Sequence, residues 1–582
     1  MLKTLLAQVK QYKRDSLLTP MFMVLEVIME LSIPVVTASI IDDGIEAGNM
    51  QHIYVYGALM LVMAMFSLFF GMMGGKYAAS ASSGFACNLR EAMYANIQRF
   101  SFGNIDKFST AGLVTRLTTD VTNLQNAYQM ILRMCIRAPL MLIFAVIMCL
   151  YLNMRLSVIF LIAIAFLSVC LAVIIRVTMK IFDETFKKYD ELNASVQENV
   201  SAIRVVKAYV REGKENEKFT AAANNLYKMF VKAESNLAWN NPIMMIAIYG
   251  SIMALSWFGA HFIVEGTFST GDLTAMFSYV MNIMMSLMML SMIFVMITMS
   301  VASARRISAV LNETSDLINP SEPVHEVANG SIDFNHAFFS YKHNGSGKNT
   351  LSDIDVHIHS GETIGIVGGT GCGKSSFVNL ISRLYDVTEG SVFVGGKDVR
   401  EYDMESLRNQ VSVVLQKNEL FSGTILDNLR WGNEHATEEE CIRACQLACA
   451  DEFVEQMPDQ YDTFIERGGT NVSGGQKQRL CIARALLKKP KILILDDSTS
   501  AVDTATDAKI RRAFATEIPG TTKLIIAQRI SSVQEADRIL VLEDGRVNGF
   551  DTHENLLKTN AIYREMYESQ IKGGGDFDKQ VS

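Results

Sequence analysis

The chain has 582 residues, a formal net charge of −8 and 49% hydrophobic residues. A chain of this length is too long for a single hydrophobic core and predicts about two to four domains. The acidic balance and the lack of a dense Lys/Arg stripe argue against nucleic acid as a partner. The nine cysteines are scattered, a spacing that favours buried, reduced thiols over a metal site.

Six segments before residue 300 are long and apolar enough to cross a bilayer, which takes about 20 residues each. The loops after the first and fifth segments carry acids but no Lys or Arg, so the positive-inside rule places them outside and both termini in the cytosol. The lipid bilayer is thus the first predicted partner. We expect the spans at about 17–41, 53–75, 130–152, 156–179, 241–264 and 273–299.

Two connections on the cytosolic side, 76–129 and 180–240, are too long for loops and have a helical pattern. Each predicts a pair of antiparallel helices that reaches on the order of 35 Å from the membrane. Their tips are expected near 103–112 and 211–217. Such stalks either transmit force or only space the domains.

Two acids, Glu26 and Glu30, lie one turn apart inside the first span. A carboxylate in lipid costs at least ~2.5 kcal/mol, so both should face a wet cavity or a partner. They either shape substrate preference or bond between helices. The sixth span is rich in methionine, and flexible thioethers such as Met285 and Met289 suit a wall for small lipophilic compounds, with plain packing as the alternative.

Composition changes at residues 313–330, a polar, proline-bearing linker. Residues 1–312 are therefore expected to form an α-helical transmembrane domain and residues 331–582 a soluble α/β domain. In the second domain the run ILILDD after Lys491 predicts a strand buried on both faces of a parallel sheet. TTKLIIAQR predicts another strand, and Asp544-Gly545 predicts a hairpin turn.

The soluble domain carries a phosphate-loop pattern. Ile364–Ser376 reads IGIVGGTGCGKSS, in the order strand, glycine loop and helix. The glycines let backbone N–H groups converge on phosphate oxygens, Lys374 adds a charge for the β- and γ-phosphates, and the Ser375 hydroxyl can ligate Mg²⁺. The expected nucleotide contacts are Gly368, Gly369, Thr370, Gly371, Cys372, Gly373, Lys374, Ser375 and Ser376.

A second anion-binding pattern lies about a hundred residues further on. Ser473, Gly474, Gly475 and Gln476 open a segment with helical apolar spacing. A hydroxyl and free N–H groups at a helix start point along its dipole at an anion. One chain therefore carries two phosphate-binding patterns.

Six spans followed by one domain with these motifs in this order resemble an ATP-binding cassette (ABC) exporter of half size, and the resemblance covers essentially the whole chain. It implies ATP and Mg²⁺ as cofactors and a second ABC half-transporter as partner. In the family, cassettes pair head to tail, and each ATP lies between one subunit's phosphate loop and the other's signature motif, here Ser473–Gln476.

The resemblance also implies roles for single residues. Tyr341 matches the aromatic residue that stacks on adenine, and Gln416 matches the glutamine that reaches Mg²⁺ and the attacking water. Asp496 matches the acid that holds Mg²⁺ through water, and Asp503 matches the dimer-contact loop. The segments 104–121 and 198–212 resemble those that bear the family's two coupling helices.

Two residues depart from the family pattern. Asp497 stands where a glutamate normally polarises the attacking water, and Gln528 stands where a histidine normally contacts the γ-phosphate. The aspartate is one methylene shorter, and a misplacement of roughly 1 Å can cost ~10²-fold in rate; the glutamine cannot carry an imidazolium charge. Both changes predict a slow, ATP-retaining site on this chain's own phosphate loop and a heterodimer, with a tolerant homodimer as the alternative.

The implied function is a subunit of an exporter in a bacterial cytoplasmic membrane that moves lipophilic or amphipathic compounds, as multidrug transporters do. A lipid flippase or peptide exporter is the near alternative, and the two departures keep a nucleotide-gated channel or regulatory subunit open. A soluble ABC ATPase that acts on nucleic acid is disfavoured by six spans and a pI near 5.7. A thiol reagent at Cys372 is expected to block nucleotide binding.

Overall fold

The computed structural model describes residues 1–341, 349–497 and 502–573. It consists of two compact units, Met1–Arg99 with Ser109–Thr314, and Phe100–Phe108 with Ser315–Ser582. The segment Phe100–Phe108 comes from the membrane-domain sequence, yet its contacts place it in the second unit.

The described part of the first unit is built from helices, because its apolar runs are long enough to form helices that cross a bilayer. Six helical stretches have the length and composition to cross a membrane: Lys10–Glu46, Met50–Ile97, Thr110–Leu152, Met154–Ile181, Glu212–Val264 and Thr270–Asn312. The six predicted spans are therefore confirmed. The helices are α1 (Leu2–Ala7), α2 (Lys13–Ser39), α3 (Met50–Ile97), α5 (Thr110–Thr115), α6 (Val121–Leu152), α7 (Met154–Ser201), α8 (Ile203–Ala208), α9 (Glu212–Ala238), α10 (Asn240–Val264) and α11 (Thr270–Asn312), while α4 (Phe102–Phe108) belongs to the second unit.

Two helices, α3 and α7, run for 48 residues each. At 1.5 Å per residue they extend about 70 Å, more than twice the apolar thickness of a bilayer. Each begins at an asparagine cap: Asn49 accepts from the His52 N–H, and Asn153 from the N–H groups of Arg155 and Leu156. The predicted stalks are thus continuations of the spanning helices.

The first predicted tip, near 103–112, coincides with α4 and the start of α5. The second tip was predicted too late in the sequence. The chain turns around the short helix α8 and not at 211–217. Val210, with φ of 52°, ends that turn, and α9 then starts with Glu212 in its first turn, where an acid is favourable.

The second unit has a six-stranded sheet of order β12-β11-β3-β10-β9-β6, parallel except for the edge strand β12, and a four-stranded antiparallel sheet of order β2-β1-β4-β5. The strands are β1 (Ile332–Phe339), β2 (Leu351–Ile358), β3 (Thr363–Gly368), β4 (Glu389–Val394), β5 (Lys397–Asp398), β6 (Val411–Val414), β7 (Gly423–Thr424), β8 (Phe464–Ile465), β9 (Ile492–Asp496), β10 (Thr522–Ile526), β11 (Arg538–Glu543) and β12 (Arg546–Asp551). The helices are α12 (Lys374–Ile381), α13 (Met404–Gln410), α14 (Ile425–Arg430), α15 (Glu438–Leu447), α16 (Asp451–Val454), α17 (Gly474–Leu486), α18 (Thr504–Glu517), α19 (His553–Thr559) and α20 (Ala561–Gly573).

The central sheet separates two apolar cores. One core contains residues of α15, α17, α18 and α20, and the other contains α12 and the antiparallel sheet. Every residue of β9 is buried, as predicted for a strand covered on both faces. The predicted hairpin is also confirmed: β11 and β12 pair antiparallel around Asp544 and Gly545, whose φ values of 46° and 76° fit a tight I′-like turn.

Candidate functional site

The phosphate loop joins β3 to α12. Gly368, Gly371 and Gly373 have φ values of 154°, 80° and 99°, which side chains other than glycine rarely tolerate. The Lys374 ammonium donates to the carbonyls of Gly368 and Gly369, both at 2.9 Å. The cationic side chain therefore lies across the loop, where a phosphate would replace these carbonyls as its partner.

Next to Lys374, Ser375 is hydrogen-bonded to Asp496 at the end of β9. Asp496 is only 5% exposed. Burial raises the pKa of its carboxyl, and neighbouring Asp497 raises it further, against the lowering by Ser375 and Lys374. A hydroxyl and a carboxylate side by side are the hard oxygen donors that Mg²⁺ prefers, so these residues fit the predicted metal.

Gln416 follows β6, which pairs in parallel with β9, so both strands end at the same edge of the sheet. Its side chain is exposed and forms no hydrogen bond with any residue that the structure describes. The fold thus places Gln416 just after a strand that ends at the same edge of the sheet as Asp496.

Tyr341 lies beside the helix of the phosphate loop. Its hydroxyl is 2.8 Å from the Ser376 Oγ. Phe339 and Tyr385 meet it edge-on, at 4.8 and 5.2 Å between ring centroids, and leave 49% of the residue exposed. An exposed ring fixed at this position can accept a stacked base.

Tyr385 was missed by sequence reasoning. Its hydroxyl donates to Asp106 Oδ2 at 2.7 Å, and its ring is 6.0 Å from that of Phe102; both partners lie on α4. Burial and Asp106 raise the pKa of Tyr385, so it stays protonated as a donor. The contact joins residues 279 positions apart, so no local sequence pattern predicts it.

The two residues that depart from the family pattern bond to each other. The Gln528 side-chain amide donates to Asp497 Oδ2 at 2.7 Å. Asp497 follows β9 with φ of 50°, and its backbone N–H donates to the Ile526 carbonyl at 3.1 Å. The acid and the amide therefore face one another beside the phosphate loop, at the carboxyl ends of neighbouring strands β9 and β10.

The second anion-binding pattern forms a capping box at the start of α17. Ser473 Oγ accepts from the Gln476 N–H at 3.3 Å, and Gln476 Oε1 accepts from the Ser473 N–H at 2.8 Å. Gly474 and Gly475 form the first turn. The helix α17 contributes to one core and α12 to the other, so the two patterns begin helices that pack on different faces of the central sheet.

Asp503 caps α18, accepting from the Thr506 N–H at 2.9 Å. Hydrogen bonding to Thr506 lowers the pKa of Asp503, so it stays ionised. It follows the undescribed residues 498–501.

In the first unit, Glu26 and Glu30 share one partner. The Arg137 guanidinium is 3.3 Å from Glu26 Oε1 and 2.8 Å from Glu30 Oε2. Arg137 lies in the third predicted span, so the sequence already contains a positive charge that could pair with the two acids. Sequence analysis alone does not identify it as their partner. Met285 is 63% exposed and Met289 is half-buried, both on α11.

A phosphate loop, a separate signature-like helix start and six spanning helices define an ATP-driven membrane transporter. Comparison with known proteins agrees: residues 17–288 match the family model for the ABC transporter transmembrane region, and residues 351–500 match the ABC transporter model. The chain belongs to the ABC transporter family and is an ABC exporter half-transporter with an ATP-hydrolysing domain.

The relatives cover most of the chain or nearly all of it. An uncharacterized ABC transporter ATP-binding protein of Bacillus subtilis, YfiB, is 36% identical over 97% of this chain and 98% of its own length. An ATP-dependent lipid A-core flippase of Desulfotalea psychrophila is 31% identical over 83% and 84%. A solved bacterial Atm1-family ABC exporter with ATP bound shares the fold, with a TM-score of 0.82 at 22% identity over 96% of this chain and 98% of the other.

Proposed function

We propose that this chain is the subunit of a heterodimeric, multidrug-type exporter whose own phosphate loop forms a slow, ATP-retaining site. The observation that carries the proposal is the 2.7 Å hydrogen bond between Gln528 and Asp497. A carboxylate that is one methylene short and engaged by an amide is poorly placed to polarise a water, whereas the loop that holds the phosphates is complete.

The signature motif of this chain supports the same assignment, with a slow site here and a competent site on the partner. Ser473, Gly474, Gly475 and Gln476 keep the family pattern and a well-formed helix start. They would complete a competent site on the partner, where Mg²⁺ and the partner's lysine stabilise the charge of in-line attack on the γ-phosphate. In this chain Ser375, Asp496 and Gln416 would hold Mg²⁺, Tyr341 would stack on adenine, and Asp503 would contact the partner cassette.

We place the exporter in a bacterial cytoplasmic membrane with both termini cytosolic, and residues 1–312 and 331–582 as its two domains. Glu26 and Glu30 hold Arg137 between helices and present a polar edge to the substrate, with Glu30 the more exposed at 33% of its side chain. Met285 and Met289 supply an adaptable apolar wall. An amphipathic compound satisfies both kinds of surface.

The test is the ATPase rate of the purified chain in lipid nanodiscs, alone and with the half-transporter encoded beside it. We expect the chain alone to be nearly silent and the pair to be active. As a control, Asp497→Glu with Gln528→His restores the family residues and should give the chain its own activity. Brisk hydrolysis by the unaltered chain alone would instead support a homodimer.

A lipid flippase is the second candidate, favoured by the similarity to a protein named as a lipid A-core flippase. Assays in reconstituted vesicles distinguish a lipid flippase from a multidrug exporter. ATP-dependent movement of a labelled phospholipid between leaflets supports the flippase, whereas accumulation of a fluorescent lipophilic cation supports the multidrug exporter. Downhill leakage without accumulation would indicate a nucleotide-gated channel.

A further inference from the structure

The helix α20 packs on the core of the second unit through one face. Tyr563, Met566, Tyr567 and Gln570 follow the i, i+3, i+4, i+7 spacing of that face. Tyr563 is fully buried and its hydroxyl is 2.7 Å from His553 Nδ1, while Met566 and Tyr567 pack against the core. This packing fixes the position of Gln570 on the next turn.

The Gln570 carboxamide bonds the backbone on both sides of Arg529. Its Oε1 accepts from the Ile530 N–H at 2.8 Å, and its Nε2 donates to the Gln528 carbonyl at 2.9 Å. A residue on a neighbouring parallel strand would make the same pair of bonds. Strand β10 has ended at Ile526, and Ile530 is fully buried, so these bonds satisfy backbone groups that the sheet no longer pairs.

The Gln528 side chain continues the connection. While its carbonyl is held by Gln570, its own amide donates to Asp497 Oδ2 at 2.7 Å. A continuous series of hydrogen bonds therefore runs from α20 to Asp497, the acid that follows β9. Loss of the Gln570 bonds would free the loop that carries Gln528.

We propose that Gln570 is a positioning residue for the ATP site, because it fixes the loop from which Gln528 reaches the γ-phosphate. The inference rests on the proposed function and on the family resemblance, which places Gln528 where a histidine normally contacts the γ-phosphate. It predicts that α20 sets how well this subunit distinguishes ATP from ADP, since only ATP carries the group that Gln528 contacts. If Gln570 only anchored α20, its loss would change the Kd for ATP and the Kd for ADP by the same factor.

The test uses the full-length chain in nanodiscs and measures Kd for Mg-ATP and Mg-ADP by competition with a fluorescent nucleotide. Gln570→Ala should raise the Kd for ATP about fivefold to tenfold, the scale of one or two lost hydrogen bonds, and leave that for ADP unchanged. Gln570→Glu keeps the acceptor but loses the donor, so a smaller loss is expected. The matched control is Ser569→Ala: among the residues that the structure describes, the Ser569 hydroxyl bonds only the Met566 carbonyl in its own helix.

The Gln528→Ala variant is the reference, because it shows how much of the ATP affinity depends on the Gln528 side chain. The double variant Gln528→Ala/Gln570→Ala should bind ATP no more weakly than Gln528→Ala alone, because Gln570 acts through Gln528. Equal losses for ATP and ADP, no loss, or additive losses each overturn the inference. If Gln528→Ala itself leaves the ATP-to-ADP ratio unchanged, the γ-phosphate role fails and the inference fails with it; if only Gln570→Ala leaves it unchanged, the inference alone fails. Should Gln570→Ala not fold, Gln570→Glu is judged by the same criteria.

Discussion

The phosphate-loop end and the signature end of the soluble domain match the ABC pattern to different degrees. At the signature end Ser473–Gln476 is complete, and a capping box fixes the helix start. At the phosphate-loop end the glycines and Lys374 are in place, but the neighbouring acid and amide, Asp497 and Gln528, bond to each other. Under the proposed function, nucleotide binding and hydrolysis would be separated in this chain, because the phosphate-binding residues match the family pattern and the two residues expected to act on water do not.

A site shared between two subunits would tolerate such a difference. If each ATP takes its phosphate loop from one cassette and its signature from the other, replacements beside one loop impair one site only. The intact signature then serves the other site. Substitutions in the signature of this chain should therefore change the ATPase rate of the pair strongly, and substitutions of Asp497 should change it little.

The largest effect is expected from Gly475→Asp. A carboxylate at the start of α17 repels phosphate and obstructs the N–H donors, and loss of such donors costs about 10²-fold or more in turnover. The steady-state ATPase rate of the reconstituted pair measures it. An acid in the first helical turn favours α17, so folding should be preserved.

Gly520→Asp is the matched control for that substitution. A Cβ at Gly520 would meet no atom within 4 Å, and the residue lies in a turn far along the chain from the signature. We expect it to leave the rate of the pair unchanged. A pair that keeps its activity with Gly475→Asp would show that the signature of this chain completes no competent site.

The next effect is at Cys372, inside the phosphate loop. The thiol is buried, and its sulfur is 3.8 Å from the Lys374 ammonium. A maleimide at this sulfur would occupy phosphate space, so nucleotide binding to this chain should be lost in a fluorescent-nucleotide titration. Cys372→Ser should bind nucleotide and resist the reagent. Unchanged binding after complete labelling of Cys372 contradicts the prediction.

The elements that sequence predicted best are those whose geometry is local. The loop after β3 is determined by glycines at positive φ, β9 by an unbroken apolar run, and the β11–β12 turn by Asp544-Gly545. The contacts that it missed join distant positions: Tyr385 with Asp106, and Glu26 and Glu30 with Arg137. Periodicity identifies the face of a helix but not its partner, so such pairs emerge only from the fold.

A smaller effect is expected from Asp497→Glu in the pair. Because hydrolysis is assigned to the partner's phosphate loop, restoring a longer acid here should change the rate of the pair by no more than about twofold, the gain if both sites turned over equally. ATP bound to this chain should meanwhile be retained for a shorter time, as measured by the nucleotide that remains after rapid desalting. A rate that rises tenfold or falls to zero would show that Asp497 limits the pair.

The last prediction concerns pH, and it separates two acids, Asp496 and Asp503, that are predicted to contact the nucleotide or its metal. Burial raises the pKa of Asp496, whereas hydrogen bonding to Thr506 lowers that of Asp503. Mg²⁺ requires the ionised carboxylate, so on acidification Asp496 loses its charge before Asp503 does. The Mg²⁺-dependent part of ATP binding should therefore weaken first, by about tenfold for each pH unit below the Asp496 pKa.

The measurement is the Kd for ATP between pH 7.5 and 4.5, with Mg²⁺ and with a chelator. We expect the difference between the two curves to shrink as the pH falls, while the curve with chelator changes less. Asp496→Asn should abolish the difference at every pH, because an amide supplies no charge to the metal. A constant difference over the whole range would exclude Asp496 as the titrating ligand and leave the metal to Ser375 and the phosphates.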